Sequence, residues 1–442
     1  MTTANNNNLQ FFIETFGCQM NEADSGKLRV LLSRKGFNPA GNYKDADIII
    51  MNTCSVRKKA EETAYQHLNN FRSHKKNNPG KIIAFGGCIG QEKSKELLKK
   101  FPGLDLVFGT ETLLKIPSLL EDIIKKRKRV YDTEWDVENK IINENIPWLK
   151  NGKITGFIPI SRGCSNYCSY CIVPFTRGAE KNRPFGSVMK EAGDAVKNGI
   201  KEITLLGQNV NSYYDNGKKF RDLLEELNKI EGLKRIRFLT SHPRDLSEGD
   251  IQTINECSKV CEHYHLPLQS ASDRVLKLMN RGYTIAEYDK KIDYIRKLRP
   301  YASVTTDIII GFPGETEKDF EDTLNYMRKT EFDSAFSFMY SKRPNTKALE
   351  LEDSITETVK KKRLKDIIDM QENISRRVNE KLLNKITSVL IEGVCKNEKQ
   401  KLFGKTRTGK PVVFSGNGGL IGQEVAIKIV KTGPHTLAGE IV

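Results

Sequence analysis

The chain has 442 residues, 38% hydrophobic and 29% charged, a balance that builds cores and excludes wholesale disorder. Lys and Arg outnumber Asp and Glu by 72 to 56, and the net charge of +16 points to an anionic partner, nucleic acid above all, unless the lysines only solubilise the surface. No apolar run approaches the ~18 residues of a membrane span, and the polar start at Met1–Asn8, with its Asn5–Asn8 run, has no secretory pattern, so a cytoplasmic address is expected.

The length predicts about three domains. In the first, residues 9–128, short apolar runs at Gln10–Phe16, Ala46–Met51, Lys81–Phe85 and Leu104–Phe108 read as strands. Amphipathic runs around Ala23–Lys35, Lys58–Ser73, Glu92–Lys100 and Thr112–Lys125 read as helices. Such alternation predicts a parallel sheet covered by helices. A basic cluster, Lys125–Arg129, leads into a polar linker at 129–149. Residues 150–380 carry six further strand candidates: Ile154–Ile160, Glu202–Leu206, Arg235–Thr240, His263–Leu268, Val304–Ile310 and Ser334–Tyr340. Helical patterns separate them, and a charged helix near Glu357–Leu383 closes the region. A closed barrel of this kind needs eight strands, so a partial (βα)6 barrel is expected. Residues 381–442 change character, with short apolar runs between Gly-rich turns such as Ser415–Gly419. They read as a small antiparallel β-barrel with a net charge of +6.

The 9 cysteines should be thiols in a reducing compartment. Cys164, Cys168 and Cys171 fall within eight residues, just after the first strand of the second domain. Three thiolates in one loop suit a compact soft-metal centre. A structural zinc site wants four ligands, and this loop offers three and no nearby histidine, which favours a 4Fe–4S cluster with one iron open to a ligand. Cys18, Cys54 and Cys88 each follow a predicted strand, at spacings of 36 and 34 residues. A parallel sheet gathers such positions at one edge, so they form a second three-thiolate site, unless they are unrelated core cysteines. Gly17, Gly86 and Gly87 permit the close turns this needs. Cys257, Cys261, His263 and His265 form a weaker ligand-like group, and Cys395 has no ligand neighbours.

At these two constellations the chain resembles the radical-SAM methylthiotransferases over nearly its whole length. The stretches that carry the resemblance are SRGCSNYCSYCIVPFTRG from Ser161, LLGQNVNSY from Leu205, HLPLQSASD from His265 and DIIIGFPGET from Asp307. The resemblance implies two 4Fe–4S clusters, one on Cys164, Cys168 and Cys171 that binds S-adenosylmethionine, and an auxiliary one on Cys18, Cys54 and Cys88. It also implies insertion of a methylthio group at C2 of an adenine, in the branch of the family that acts on dimethylallyl-adenosine beside the tRNA anticodon. S-adenosylmethionine would serve as radical source and as methyl donor, and a flavodoxin-like or ferredoxin-like reductant would be a partner. An aromatic C–H bond offers no acidic proton, so no acid or base is nominated, and the cofactors carry the hard step. The tail resembles a TRAM domain, an RNA-binding β-barrel. Sister activities on threonylcarbamoyl-adenosine or on a ribosomal-protein aspartate stay open, as does a metal-stabilised RNA-binding protein. The family commonly has Gly where Ala271 and Asn345 stand.

For S-adenosylmethionine the expected residues lie at strand ends: Tyr170, Gln208, Asn209, Gln269, Asp307 and Gly311. A polar residue that ends a strand is otherwise a turn former, and Gly311–Gly314 otherwise only a tight turn. Lys401, Lys405, Arg407 and Lys410 are expected to hold the phosphates of the anticodon stem-loop, unless they line a solvated loop.

Overall fold

The computed structural model describes residues 9–442 except 57, 147, 149–151, 396, 397 and 399. The Asn5–Asn8 run lies outside the described residues. Among those residues no helix is long and apolar enough to cross a membrane.

The first sheet contains β1 (Gln10–Thr15), β2 (Asn38–Pro39), β3 (Ile48–Thr53), β4 (Ile82–Gly87), β5 (Leu106–Phe108) and β6 (Val130–Asp132). Its order is β2-β1-β3-β4-β5-β6 and every pair is parallel. Between the strands run α1 (Gln19–Arg34), α2 (Lys58–Lys76), α3 (Cys88–Lys100) and α4 (Ile116–Lys126). The central strand β3 is buried throughout. Its Ile48 and Ile50 pack on the side of Leu28, Leu32 and Leu120, while Ile49 and Met51 pack on the side of Leu68, Phe71 and Leu97. A continuous apolar run is what a strand covered on both faces requires. The expected linker begins inside this sheet, because Val130–Asp132 pairs with β5. A short α5 (Lys140–Asn143) follows.

The second region starts with β7 (Thr155–Pro159), the short pair β8 (Ser161–Arg162) and β9 (Lys181–Asn182), and between those two α6 (Val173–Arg177). Then come α7 (Phe185–Lys197), β10 (Glu202–Leu206), the hairpin β11 (Tyr214–Asp215) and β12 (Lys218–Lys219), and α8 (Phe220–Asn228). β13 (Arg235–Phe238), α9 (Glu248–Glu256), β14 (His263–His265), α10 (Asp273–Leu278) and α11 (Ile285–Leu298) continue the series. It ends with β15 (Ser303–Ile310), α12 (Glu317–Thr330), β16 (Ser334–Met339) and α13 (Glu357–Glu380). β7, β10 and β13 form one parallel set, and β14, β15 and β16 another. A parallel bridge between Ile236 and Val260 joins the sets into a six-strand partial barrel. Its two edges are covered. α1 lies against β7, with Met20 and Ala23 packed on Phe157, Leu206 and Leu239, and α13 lies against β16.

The tail closes as a five-stranded barrel of β17 (Ile386–Val394), β18 (Lys401–Thr406), β19 (Pro411–Ser415), β20 (Glu424–Thr432) and β21 (Leu437–Ile441). Val389, Ile391, Leu402, Val412, Phe414, Ile427, Ile429 and Leu437 fill it. It is antiparallel except for the β19–β21 pair, which is parallel. The small barrel docks on the amino ends of the partial-barrel strands. Arg235, fully buried at the start of β13, donates to Glu424 Oε1 at 2.6 Å and to the Lys405 carbonyl at 2.6 Å. Arg237 donates to the carbonyls of Thr406 and Arg407 at 2.7 and 2.9 Å.

Candidate active site

Both cysteine trios lie at carboxyl ends of parallel strands, and the two regions face each other there. In the first sheet Cys18 precedes α1, Cys54 follows β3, and Cys88 is the first residue of α3. Gly17 makes the approach of Cys18 and Cys54 possible. It sits at φ +101°, and a methyl group on it would overlap the Cys54 side chain. Asn21 ties the loops together by donating to the carbonyls of Phe16 at 2.8 Å and Thr53 at 3.0 Å. Cys54 hydrogen-bonds to both other thiols. That bond brings Cys18 and Cys88 down to about 6 against the upward push of burial, with the charge of Arg177 helping, while Cys54 itself is pushed well up. The three thiols thus share protons, and the two that are lowered, Cys18 and Cys88, stand at helix N-termini, where anions are favoured.

In the second region one loop after β8 carries Cys164, Cys168 and Cys171. Burial pushes Cys164 up to about 11 and Cys171 up to about 12, and the nearby Cys168 charge adds to both. Arg281, itself buried, lies with Nη1 at 3.2 Å from Cys168 Sγ and donates through Nη2 to the Pro267 carbonyl at 2.8 Å. Among the described residues no group of three His, Cys, Asp or Glu side chains closes on a single ion. Three-plus-open ligation of a multi-iron cluster needs no such cage, since each thiolate takes its own iron.

The helix α6 joins the two trios. It begins two residues after Cys171 and ends at Arg177, whose side chain reaches Cys88. A helix of five residues rises only about 7.5 Å. Thr110 Oγ1 donates to the Thr176 carbonyl at 2.7 Å, and Arg162 donates to Asp24 Oδ1 at 2.7 Å and to the Thr110 carbonyl at 2.9 Å. Arg343, from the loop after β16, pairs with Glu61 of α2 at 2.9 Å. The mouth of the partial barrel is thus roofed by the first sheet.

Around that mouth several buried polar atoms have no partner within the protein: Ser161 Oγ, Gln208 Oε1, Ser241 Oγ, Asp307 Oδ1 and Tyr340 Oη. They come from β8, β15 and the segments just after β10, β13 and β16. Buried polar groups normally find a partner, and an amino-acid nucleoside offers ammonium, carboxylate, hydroxyl and adenine groups to such a ring. The mouth therefore fits S-adenosylmethionine. Of the residues expected from sequence, Gln208 and Asp307 belong to this ring. Gln269 is buried beside it, at φ +75°, bridging to β15 through its backbone. Tyr170 stands edge-on to Phe312, with ring centroids 6.5 Å apart.

Two residues are otherwise engaged. Asn209 spends its amide on Asp245 Oδ2 at 2.6 Å and its oxygen on the His242 N–H at 3.1 Å. The Gly311 N–H, at φ +66°, donates to the Glu315 carboxylate at 3.2 Å, and the Lys360 stem fills the space where a side chain would stand. The four basic residues of the tail also divide. Lys401 and Lys405 keep partly exposed ammonium groups beside Glu398 and Glu392. Arg407, expected to hold phosphate, instead pairs with Glu262 at 2.8 Å, and Lys410 with Asp333 at 2.5 Å, both at the docking face, and the segment is a strand followed by a tight turn. The weaker group does not assemble. Cys257 is in the main core, and His263 and His265 both bond Thr305 Oγ1 at 3.1 Å. Arg281, Arg177, Ser161 and Ser241 join the site without a signal of their own in the sequence pattern. Of these, Ser161 and Arg177 fall within the stretch that carries the cysteine loop.

A partial parallel barrel with a three-cysteine loop at its mouth defines the radical SAM class, and the Radical SAM superfamily description matches residues 158–327. The description "Uncharacterized protein family UPF0004" matches residues 10–109, and the TRAM domain matches 380–442. Over 440 residues the chain is 44% identical to the tRNA-2-methylthio-N(6)-dimethylallyladenosine synthase of Natranaerobius thermophilus, covering 98% of this chain and 97% of that one. It is 45% identical to the synthase of Alkaliphilus oremlandii, covering 98% and 93%. The chain belongs to this synthase family of radical SAM proteins. In fold it is similar to the radical S-adenosylmethionine methyltransferase TsrM of Kitasatospora setae with cobalamin and a [4Fe-4S] cluster bound (TM-score 0.57, 13% identity, 77% of this chain and 73% of that one). It is also similar to the cobalamin-dependent S-adenosylmethionine radical enzyme OxsB (TM-score 0.53, 16% identity, 82% and 56%).

Proposed function

We propose that this protein methylthiolates C2 of N6-dimethylallyladenosine at position 37 of tRNA, using S-adenosylmethionine as both radical source and methyl donor. The observation that carries the reading is the pair of cysteine trios joined by α6, which sets a hydrogen-abstracting centre and a sulfur-supplying centre about one short helix apart. When bound, a 4Fe–4S cluster with S-adenosylmethionine supplies radical chemistry that no side chain has. The protein's own residues bind and orient. Cys164, Cys168 and Cys171 hold one cluster, and Arg281 holds the Cys168 sulfur in place. Cys18, Cys54 and Cys88 hold the auxiliary cluster. Ser161, Gln208, Ser241, Gln269 and Asp307 grip S-adenosylmethionine, and Tyr170 walls its pocket. The roof formed by α1, α6 and the Arg343–Glu61 pair covers the mouth on the side of the first sheet.

The target base must leave its stack to enter such a mouth. The partner is therefore the anticodon stem-loop of tRNA, and electrons come from a flavodoxin-like or ferredoxin-like reductant. The test is anaerobic reconstitution with iron, sulfide, reductant and S-adenosylmethionine on tRNA that carries dimethylallyl-adenosine. Mass spectrometry of the nucleosides should show the 2-methylthio derivative. Product confined to threonylcarbamoyl-adenosine, or none at all from fully loaded protein, would overturn the assignment.

A further inference from the structure

Arg177 is supplied by the partial barrel, yet it completes the cysteine site of the first sheet. Its side chain is buried, and Nη2 donates to Asn21 Oδ1 at 2.5 Å and lies 3.4 Å from Asp24 Oδ2. Its charge lowers the Cys88 and Cys18 thiols, and Cys18 Sγ lies 3.9 Å from the Asn21 Oδ1 that Arg177 holds. Asp24 is shared, since its Oδ1 accepts from Arg162 at 2.7 Å. Glu111 lies against Arg162 at 3.4 Å and Lys181 at 3.5 Å, so the cations Arg177, Arg162 and Lys181 outnumber the carboxylates of Asp24 and Glu111. Net positive charge therefore stands beside the auxiliary cysteines, and the burial of Arg177, Arg162, Asp24 and Glu111 lets water screen it less.

We infer that Arg177 is a positioning residue for the auxiliary centre, holding Asn21 and a buried positive charge against its sulfur ligands across the domain interface and raising its reduction potential. Positive charge and hydrogen bonds at cluster sulfurs favour the more negative, reduced state. The donor lies on α6, directly behind the S-adenosylmethionine loop. The electronic state of one centre is thereby tied to how the other domain is seated. This inference rests on the auxiliary-cluster reading above.

The test uses the full chain with Cys164, Cys168 and Cys171 replaced by Ala, so that only the auxiliary centre is loaded. With Arg177 intact this protein should hold about four irons. Absence of iron there would refute the cluster reading itself, before Arg177 is touched. In the same background, Arg177→Met and Arg177→Lys are titrated with reductant and followed by electron paramagnetic resonance. Asp24 keeps Arg162, and Asn21 keeps its bonds to Phe16 and Thr53, so the Met variant should fold. Removing a charge-assisted hydrogen bond should lower the reduced-to-oxidised ratio at a fixed potential roughly tenfold in Arg177→Met. Lys should restore part of it. Auxiliary iron lost from the Met variant and kept in the Lys variant also supports the role of the charge. An unchanged potential in Arg177→Met, or iron lost equally from both variants, would overturn it.

Discussion

Asn345 stands at φ +63°, in the left-handed region where a side chain is strained unless it is Asn, Asp or Gly. This accounts for one departure from the family pattern, because Asn fills a position commonly given to Gly. Asn345→Gly should leave stability within a few tenths of a kcal/mol, whereas Asn345→Val should cost about 1–2 kcal/mol or more. Urea unfolding of the two variants checks this. Ala271, the other departure, has no positive φ and donates its N–H to Thr323 Oγ1 at 3.1 Å, so nothing there demands Gly. The cysteines make a sharper prediction. Cys168→Ala should abolish 5′-deoxyadenosine formation, while Cys54→Ala should keep some of it and lose the methylthio product. Replacing Cys18, Cys54 and Cys88 together should cut iron from about eight to about four per chain. Normal product from Cys54→Ala, measured by nucleoside mass spectrometry, would contradict the division of roles. All six cysteines are readable from spacing, because parallel strands deliver regular positions to one edge. Arg177 and Arg281 are not, since a lone arginine shows its partner only when the chain has folded.

At the scale of elements, β10 is legible residue for residue, because Glu202–Leu206 is a short apolar run with a clear start. β6 and β18 escape the hydrophobic pattern for opposite reasons. Val130–Asp132 is half-exposed and follows a run of Lys and Arg, so no apolar signal rises above the charge. Lys401–Thr406 does alternate, with Leu402, Gly404 and Thr406 buried, but its lysines disguise the period as a basic loop. Caps carry information that hydrophobic pattern does not. Asp319, in the first turn of α12, accepts from Thr316 N–H at 2.8 Å and Oγ1 at 2.6 Å, from Ser272 Oγ at 2.6 Å, and from Arg274. Burial works to raise its pKa, and these donors, Arg274 first, outweigh it, so the carboxyl is held below its usual value. A depressed carboxylate adds stability above its unfolded value of about 4 and loses it as pH falls below that. Asp319→Asn should therefore cost about 1–3 kcal/mol at pH 7. The gap to wild type should shrink by pH 3, as read from urea midpoints. A gap that is constant with pH would mean that the charge contributes nothing.

The whole molecule places two tasks at opposite ends of the partial barrel. The cysteine loop and the unpartnered polar ring lie at the carboxyl ends of the strands, and the C-terminal barrel is fastened to the amino ends through Arg235, Arg237, Arg407 and Lys410. The longer strands, β7, β10, β15 and β16, have five to eight residues and separate those ends by roughly 17–26 Å. An RNA that touches both must therefore extend well beyond its loop, which favours a stem-loop over a short single strand. The docking geometry also sorts the basic residues. Lys401 and Lys405 keep partly exposed ammonium groups beside acids of the tail itself, and Arg407 and Lys410 pair across the domain interface. Neutralising Lys401 and Lys405 with Gln should weaken tRNA binding and flatten the slope of log affinity against log salt by about 0.7–0.9 for each phosphate no longer neutralised. Arg407→Gln should instead leave Glu262 unpaired at a half-buried interface and lower the thermal midpoint. Both variants should keep wild-type iron content and uncoupled S-adenosylmethionine cleavage, because the cysteine loop is remote from them. The measurements are tRNA affinity at several salt concentrations and thermal unfolding of each variant. If the Lys401 and Lys405 variant keeps the wild-type slope, the phosphate surface lies elsewhere. Lys125, Lys126 and Lys128 are then the next residues to change, because Arg129 is already committed to the carbonyls of Leu98, Phe101 and Leu104.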